Sequence, residues 1–118
     1  MIKGLSDEAL QETVNYFISQ LHLESYSQTK SGKLSGGNIR KLCVAQALIG
    51  GPKMLFLDEP SSGLDPISRR FLWNALVNNL TFNKSSMVLT THSMPEAESL
   101  CGKIGILING RFVCIGSI

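Results

Sequence analysis

Met54-Leu-Phe-Leu-Asp-Glu59 runs directly into Pro60-Ser-Ser-Gly-Leu-Asp-Pro66, and these residues decide the class of fold. Residues 54–57 are an unbroken apolar run with Gly50-Gly-Pro52 before it and Pro60 after it, the pattern of a short strand buried on both faces. Two carboxylates close that strand. Pro60 to Pro66 reads as loop, and Pro66 suits the first turn of a helix, where a missing N–H leaves nothing unpaired. Leu72, Ala75, Leu76 and Leu80 then recur at helical spacing and supply that helix's inner face. Buried strand, loop and amphipathic helix in this order make the repeating unit of an α/β sheet.

The elements on either side extend the plan. Upstream, Ser6-Asp-Glu8 is an N-cap with first-turn acids, followed by Leu10, Val14, Phe17, Ile18 and Leu21 on one helical stripe; His22 lies at its edge. Glu24 to Lys33 lacks periodicity and reads as loop. Ser35-Gly-Gly37 then opens a second helix carrying Leu42, Ala45, Leu48 and Ile49, which Gly50-Gly-Pro52 stops. Downstream, Met87 to Thr91 is a second buried strand and Pro95 to Leu100 a short helix. Ile104 to Ile108 and Phe112 to Ile115 flank Asn109-Gly110, the two-residue signal of a hairpin.

Composition narrows the partners. The 118 residues suffice for one small domain. Eleven Lys and Arg against nine Asp and Glu leave +2, without the basic excess of a nucleic-acid footprint, so no nucleic-acid partner is expected. Charged residues are 17% of the chain against about 25% in ordinary soluble domains, so part of the surface is expected to be covered by another body. No apolar run approaches the ~20 residues of a membrane helix. Met1 to Glu8 turns acidic where a signal peptide would be apolar. Cys43, Cys101 and Cys114 make an odd count with no C-x-x-C pair, which argues against a disulfide framework or a zinc site. Their apolar neighbours lead us to expect buried thiols in a reducing setting. Trp73 and the phenylalanines are expected in the core, and Arg40-Lys41 and Arg69-Arg70 on solvated helix faces, with Arg40 and Lys41 within range of helping a nearby phosphate.

Four short stretches have chemical potential, and each has a plainer reading when taken alone. Asp58-Glu59 ends a buried strand, where open α/β sheets place ligands: one carboxylate can hold Mg²⁺ through water and its neighbour can orient or deprotonate a nucleophilic water. The plain alternative is a polar turn. Leu34-Ser-Gly-Gly-Asn38 precedes a helix, whose N-terminus and glycine backbone suit an anion. The plain alternative is a glycine hinge capped by Ser35. His92 closes the second strand at the same sheet edge as Asp58, as a phosphate contact or a structural histidine. Ser62-Gly-Leu-Asp65 alone is a turn and a helix cap.

In this order the stretches resemble the second part of the nucleotide-binding cassette of ABC transporters, over essentially the whole chain. Leu34-Ser-Gly-Gly-Asn38 looks like the signature motif, with Asn38 where most of the family carries Gln, and Met54 to Glu59 looks like Walker B. Ser62 to Asp65 resembles the D-loop, and His92 the switch histidine. Leu34 to Leu42, Ala47 to Pro52, Arg69 to Asn74, His92-Ser-Met94, Leu100-Cys101 and Asn109 to Phe112 are similar to the A subfamily, most of all to its second cassette. The fold implied is part of a P-loop NTPase-like α/β cassette: helical subdomain and signature helix in 1–50, then Walker B, D-loop, switch histidine and terminal hairpin in 51–118.

The resemblance implies ATP and Mg²⁺ as ligands. It implies Asp58 on Mg²⁺ through water, Glu59 as general base and His92 at the γ-phosphate. Ser35, Gly36, Gly37 and Asn38 would bind the γ-phosphate held by a second nucleotide-binding domain, and Asp65 would couple the two sites. Transmembrane domains of a parent transporter, a place on the cytoplasmic face of a membrane, and lipid export follow from the same likeness. A Walker A loop, Gly-x-x-x-x-Gly-Lys-Ser/Thr, is missing. Gly32-Lys33 is followed by Leu34, and Gly102-Lys103 by Ile104. The chain is therefore expected to be a fragment, a truncated gene product or a short isoform, inactive alone. A fragment that docks on an intact cassette, a piece of a soluble ABC-type ATPase, and a chain with no stable fold remain open as alternatives.

Overall fold

The computed structural model describes residues 6–118; the signal-peptide reading of the first residues falls mostly outside that range. Helix α1 spans Asp7–Gln20, α2 Gly36–Leu48, α3 Pro66–Asn83 and α4 Met94–Leu100. Strand β1 is Met54–Asp58, β2 Ser86–Thr90, β3 Lys103–Ile108 and β4 Arg111–Ser117. The segment expected as plain loop contains two 3₁₀ turns, Glu24–Tyr26 and Ser31–Lys33.

The helix starts follow their capping residues. Ser6 Oγ accepts from Ala9 N at 3.3 Å, Ser35 Oγ from Asn38 N at 3.3 Å, and Asp65 Oδ2 from Ile67 N and Ser68 N at 3.0 and 2.9 Å. Pro66 occupies the first turn of α3. Helix α3 ends at Lys84 in the left-handed region, φ 50°.

β1 and β2 pair in parallel, Met54 opposite Ser86 through Asp58 opposite Thr90. Helix α3 is the crossover between them. Residues from α1, α2, β1, the 60–65 loop and α3 share one core, with Leu21, Leu48, Leu72 and Leu76 at its centre. A leucine buried in this way contributes roughly 1.5–3 kcal/mol.

Several expectations need correcting. β1 is covered on one face: Leu55 is buried and Leu57 half-buried, whereas Met54 and Phe56 are exposed, Phe56 to 76%. Val88 on β2 is exposed too. An apolar run fixes that a strand needs cover, but not how many layers this chain itself supplies. Cys43 and Cys114 are exposed and Cys101 half-buried, because Cys43 lies on the outer face of α2 and Cys114 on a hairpin exposed along the whole of β4.

The hairpin signal is realised in full. Asn109 and Gly110 have φ of 49° and 74°, the two positive values of a type I′ turn. The register steps between Ile106 opposite Cys114 and Leu107 opposite Phe112, leaving Val113 as a bulge.

Candidate functional site

The ends of the two parallel strands gather three of the residues singled out in the sequence. Asp58 lies opposite Thr90, whose hydroxyl donates to Asp58 Oδ1. One residue on, Glu59 N donates to Thr90 O at 3.0 Å and reaches Thr90 Oγ1 at 3.3 Å. Glu59 therefore stays bound to β2 beyond the last paired position. It also turns: its φ is 47°, in the left-handed region that non-glycine residues rarely adopt. That turn brings Glu59 Oε2 to 2.9 Å from His92 Nδ1. The His92 side chain is 81% exposed and that of Glu59 33%. A protonated imidazole can give Nδ1–H to Glu59 and keep Nε2–H for an anion.

A second group forms at the start of α2. Ser35 Oγ accepts the Asn38 N–H and still has its own proton to donate outward. The first-turn N–H groups of Gly36 and Gly37 have no acceptor within the helix, so this end offers hydroxyl and backbone donors with the favourable end of the helix dipole. The two glycines differ. A Cβ on Gly36 would meet nothing within 4 Å, but one on Gly37 would stand 3.1 Å from Leu64 Cδ2. Gly37 thus makes room for the 62–65 turn, a packing demand that neither the hinge nor the anion reading anticipated.

Asp65 caps α3. Its bonds, that with the Ser68 side chain first, hold its carboxyl below the usual carboxylate range. The capped turn and the α2 start touch through Leu64 and Gly37. Arg40 Nη1 reaches the Asp58 carbonyl at 3.5 Å, tying α2 to the strand end.

Sequence reasoning missed Thr90 and Glu96 and misplaced Lys41. Thr90 was legible in principle, since both strands end on a polar residue and parallel register sets Thr90 beside Asp58. Lys41, expected on a solvated face, is 5% exposed. Its Nζ donates to Leu21 O at 2.9 Å and reaches His22 O at 3.5 Å, satisfying carbonyls at the end of α1. Burial pushes the Lys41 ammonium below its ordinary value, against the pull of Asp65 and Glu24. Glu96, 1% exposed, accepts from Trp73 Nε1 at 2.9 Å, so Trp73 has a polar partner in addition to its packing. Among the described residues no group of three or more His, Cys, Asp or Glu could hold a metal ion by itself.

The family model for the ABC transporter matches residues 3–62, half of the chain and more. The chain belongs to the ABC transporter family. The signature-like and Walker B-like stretches of this ABC chain fall inside the matched region, and the curated relatives extend the likeness to almost every residue. ATP-binding cassette sub-family A member 7 of Mus musculus is 46% identical over 116 residues, 98% of this chain and 5% of the relative. Glucosylceramide transporter ABCA12 of Mus musculus is 45% identical, over 99% of this chain and 4% of its own length. ATP-binding cassette sub-family A member 2 of Homo sapiens is 47% identical, over 99% of this chain and 5% of its own. The chain therefore spans about a twentieth of the length of these relatives.

A solved ATP-binding subunit of an ABC transporter superposes with a TM-score of 0.82 at 27% identity, over 98% of this chain and 48% of that one. A putative metal-chelate type ABC transporter in an inward-facing conformation shares the fold at 0.75 and 23% identity. The architecture is thus part of an α/β ABC cassette of the P-loop NTPase class. No helix among the described residues is long and apolar enough to cross a membrane.

Proposed function

We propose that this chain is the signature-to-switch part of the ATP-binding cassette of a membrane transporter that exports lipid, working at a dimer interface on the cytoplasmic side. The observation that carries the reading is the Glu59–His92 pair, 2.9 Å apart, beside Asp58 at the ends of two parallel strands. Lipid as cargo is supported by two relatives, a glucosylceramide transporter and the human phospholipid-transporting ATPase ABCA7, 45% identical to this chain.

The residues present fit ATP and Mg²⁺. Asp58 is an exposed carboxylate with the Thr90 hydroxyl beside it, hard oxygen donors of the kind Mg²⁺ takes. The α2 start offers the Ser35 hydroxyl and the Gly36 and Gly37 N–H groups to an anion. When bound, Mg²⁺ offsets charge that develops on the transferred phosphoryl group. Asp58 would hold the ion through water. Glu59 orients a water and takes its proton, while the Nδ1 contact keeps the carboxylate turned toward the strand end. His92 Nε2, left free by the Glu59 contact, would be the atom to reach the γ-phosphate.

The α2 start and Asp65 serve the nucleotide of a second cassette, and transmembrane domains of the parent receive the motion. In this reading the boundary near residue 50 divides a helical part, described from residue 6, from the catalytic part in 51–118. The 118 residues hold no phosphate-gripping loop, so the chain alone hydrolyses no ATP above background.

The test is Glu59→Gln in a cassette completed by that loop. ATP binding should persist while turnover falls by about 10²- to 10⁴-fold, the usual weight of a general base. Turnover within about threefold of the parent would exclude Glu59 as the base. Phosphate release by the 118-residue chain that disappears in Glu59→Gln would overturn its inactivity alone.

A further inference from the structure

His92 sits in a link of three residues between the end of β2 at Thr90 and the start of α4 at Met94. Inside the link the bonding is local: Ser93 N donates to Thr91 Oγ1 at 3.0 Å. The imidazole is largely in solvent, so the position of the backbone decides whether it reaches Glu59. The Thr90 side of the link is fixed by the Asp58 and Glu59 bonds. The other side depends on α4, whose seven residues are too few to hold a helix without tertiary support.

That support comes from Glu96 and Ala97 near the start and from Leu100, packed against the core, at the end. Glu96 and Ala97 are buried, and Glu96 and Ala97 N both donate to Ser93 O at 3.1 Å. A carboxylate buried to 1% exposure persists only with partners, and Trp73 Nε1 on α3 supplies one at 2.9 Å. Glu96 is felt further along α4 as well: burial first, and then its carboxylate, push the Cys101 thiol up. Trp73 is the sole tryptophan of the chain and lies on the helix that Asp65 caps.

We propose that Glu96 is the positioning residue for His92, anchored by Trp73. The buried bond sets where α4 begins, and so how far the imidazole extends toward Glu59. It also ties the switch histidine to α3, so that a shift of the 62–65 turn is felt at His92 through one helix and one hydrogen bond. The proposal rests on the reading of Glu59 and His92 as the hydrolytic pair and adds to it the residue that sets their distance.

The test uses the labelled 118-residue chain without nucleotide, followed by nuclear magnetic resonance at the Trp73 indole N–H and the His92 Cε1–H. Glu59→Ala supplies the signal of an unpaired His92. In the parent, the Trp73 indole proton should exchange slowly. Glu96→Gln, whose amide oxygen still accepts, should keep both signals. Glu96→Ala and Trp73→Phe should each move the His92 signal at least halfway to its Glu59→Ala position, with the Thr90 signals unchanged. If Glu96→Ala unfolds, Trp73→Phe, which keeps a ring in the same space, decides alone. A His92 signal that stays at its parental position without the bond overturns the proposal, and so does a parental indole proton that exchanges as fast as free indole. Because no ATP is used, failure here leaves the hydrolytic reading standing. Failure of the Glu59→Gln turnover test would leave the Glu96–Trp73 bond and its effect on the His92 position standing, and remove only their bearing on hydrolysis.

Discussion

Gly37 lies so close beneath Leu64 that a single added carbon at position 37 would stand 3.1 Å from Leu64 Cδ2. Leu64 is itself buried, at 7% exposure, and cannot swing out without opening the core. The turn that precedes α3 and the turn that opens α2 therefore share a surface, and what presses on one is transmitted to the other.

Gly37→Asp in a completed cassette should leave ATP affinity near the parental value, abolish ATP-driven dimerisation and lower turnover by at least about tenfold, or ~1.4 kcal/mol. If the residue faces the partner's γ-phosphate, each like-charge pair at ~4 Å and an effective dielectric of about 20 costs roughly 4 kcal/mol. Gly37→Ala presses on Leu64 without the charge and separates the two effects: it should weaken dimerisation less. Nucleotide binding and hydrolysis measured side by side decide it, and a parental hydrolysis rate in Gly37→Asp would remove the trans role from this turn.

Lys41→Met should destabilise the chain by about 1–3 kcal/mol in urea unfolding, the usual effect of leaving buried acceptors without their donor. The pH dependence has a definite sign. The folded chain holds the Lys41 proton less tightly than the unfolded one, so the parent gains stability as pH rises through the folded value toward 10.5. Lys41→Met should lack that alkaline gain. Equal alkaline slopes in the two chains would mean that the ammonium is not buried as described.

Asp65→Asn separates capping from charge. The amide oxygen still accepts from Ile67 N and Ser68 N, so α3 should keep its start, while Asp65→Ala should fray it. The Asp65 carboxyl is held below its ordinary 3.8 in the folded chain. Its stabilisation is therefore complete above that value and lost as pH falls through the folded one. Acid unfolding followed by circular dichroism should show a shallower acid limb in Asp65→Asn than in the parent.

Phe56→Lys should reduce self-association. Met54, Phe56 and Val88 present one open apolar face, and among the described residues no further strand pairs with either edge of the two-stranded β1–β2 sheet. Sedimentation of the parent should show association that grows with concentration and is reduced in the variant. A parent that stays monomeric across the range would count against the open face as a sticky surface.

The order of elements was legible because each boundary carries its own local chemistry: Ser35 and Asp65 cap helices, Pro66 starts one, and Asn109-Gly110 closes a hairpin. The members of the strand-end site were legible for the same reason, as short-range strings. What could not be read was anything that depends on where a distant chain end comes to rest. Lys41 is buried because α1 happens to finish above it, twenty residues away in sequence. Glu96 is buried because Trp73, on another helix, reaches it. Both are charged residues on helices, where pattern alone assigns them to water. The sheet failed in the opposite sense, since hydrophobic periodicity records the need for cover and not its source.

The left-handed backbone at Glu59 has an evolutionary side. A non-glycine residue held there carries strain of about 1–3 kcal/mol, which glycine would relieve at the same φ of 47°. If Glu59 is the base proposed above, selection for a sturdier fold and selection for its carboxylate pull this one position in opposite directions. In copies of the cassette released from the demand to hydrolyse, drift toward glycine at that turn would meet little resistance, so the residue there would record which demand a lineage has continued to meet.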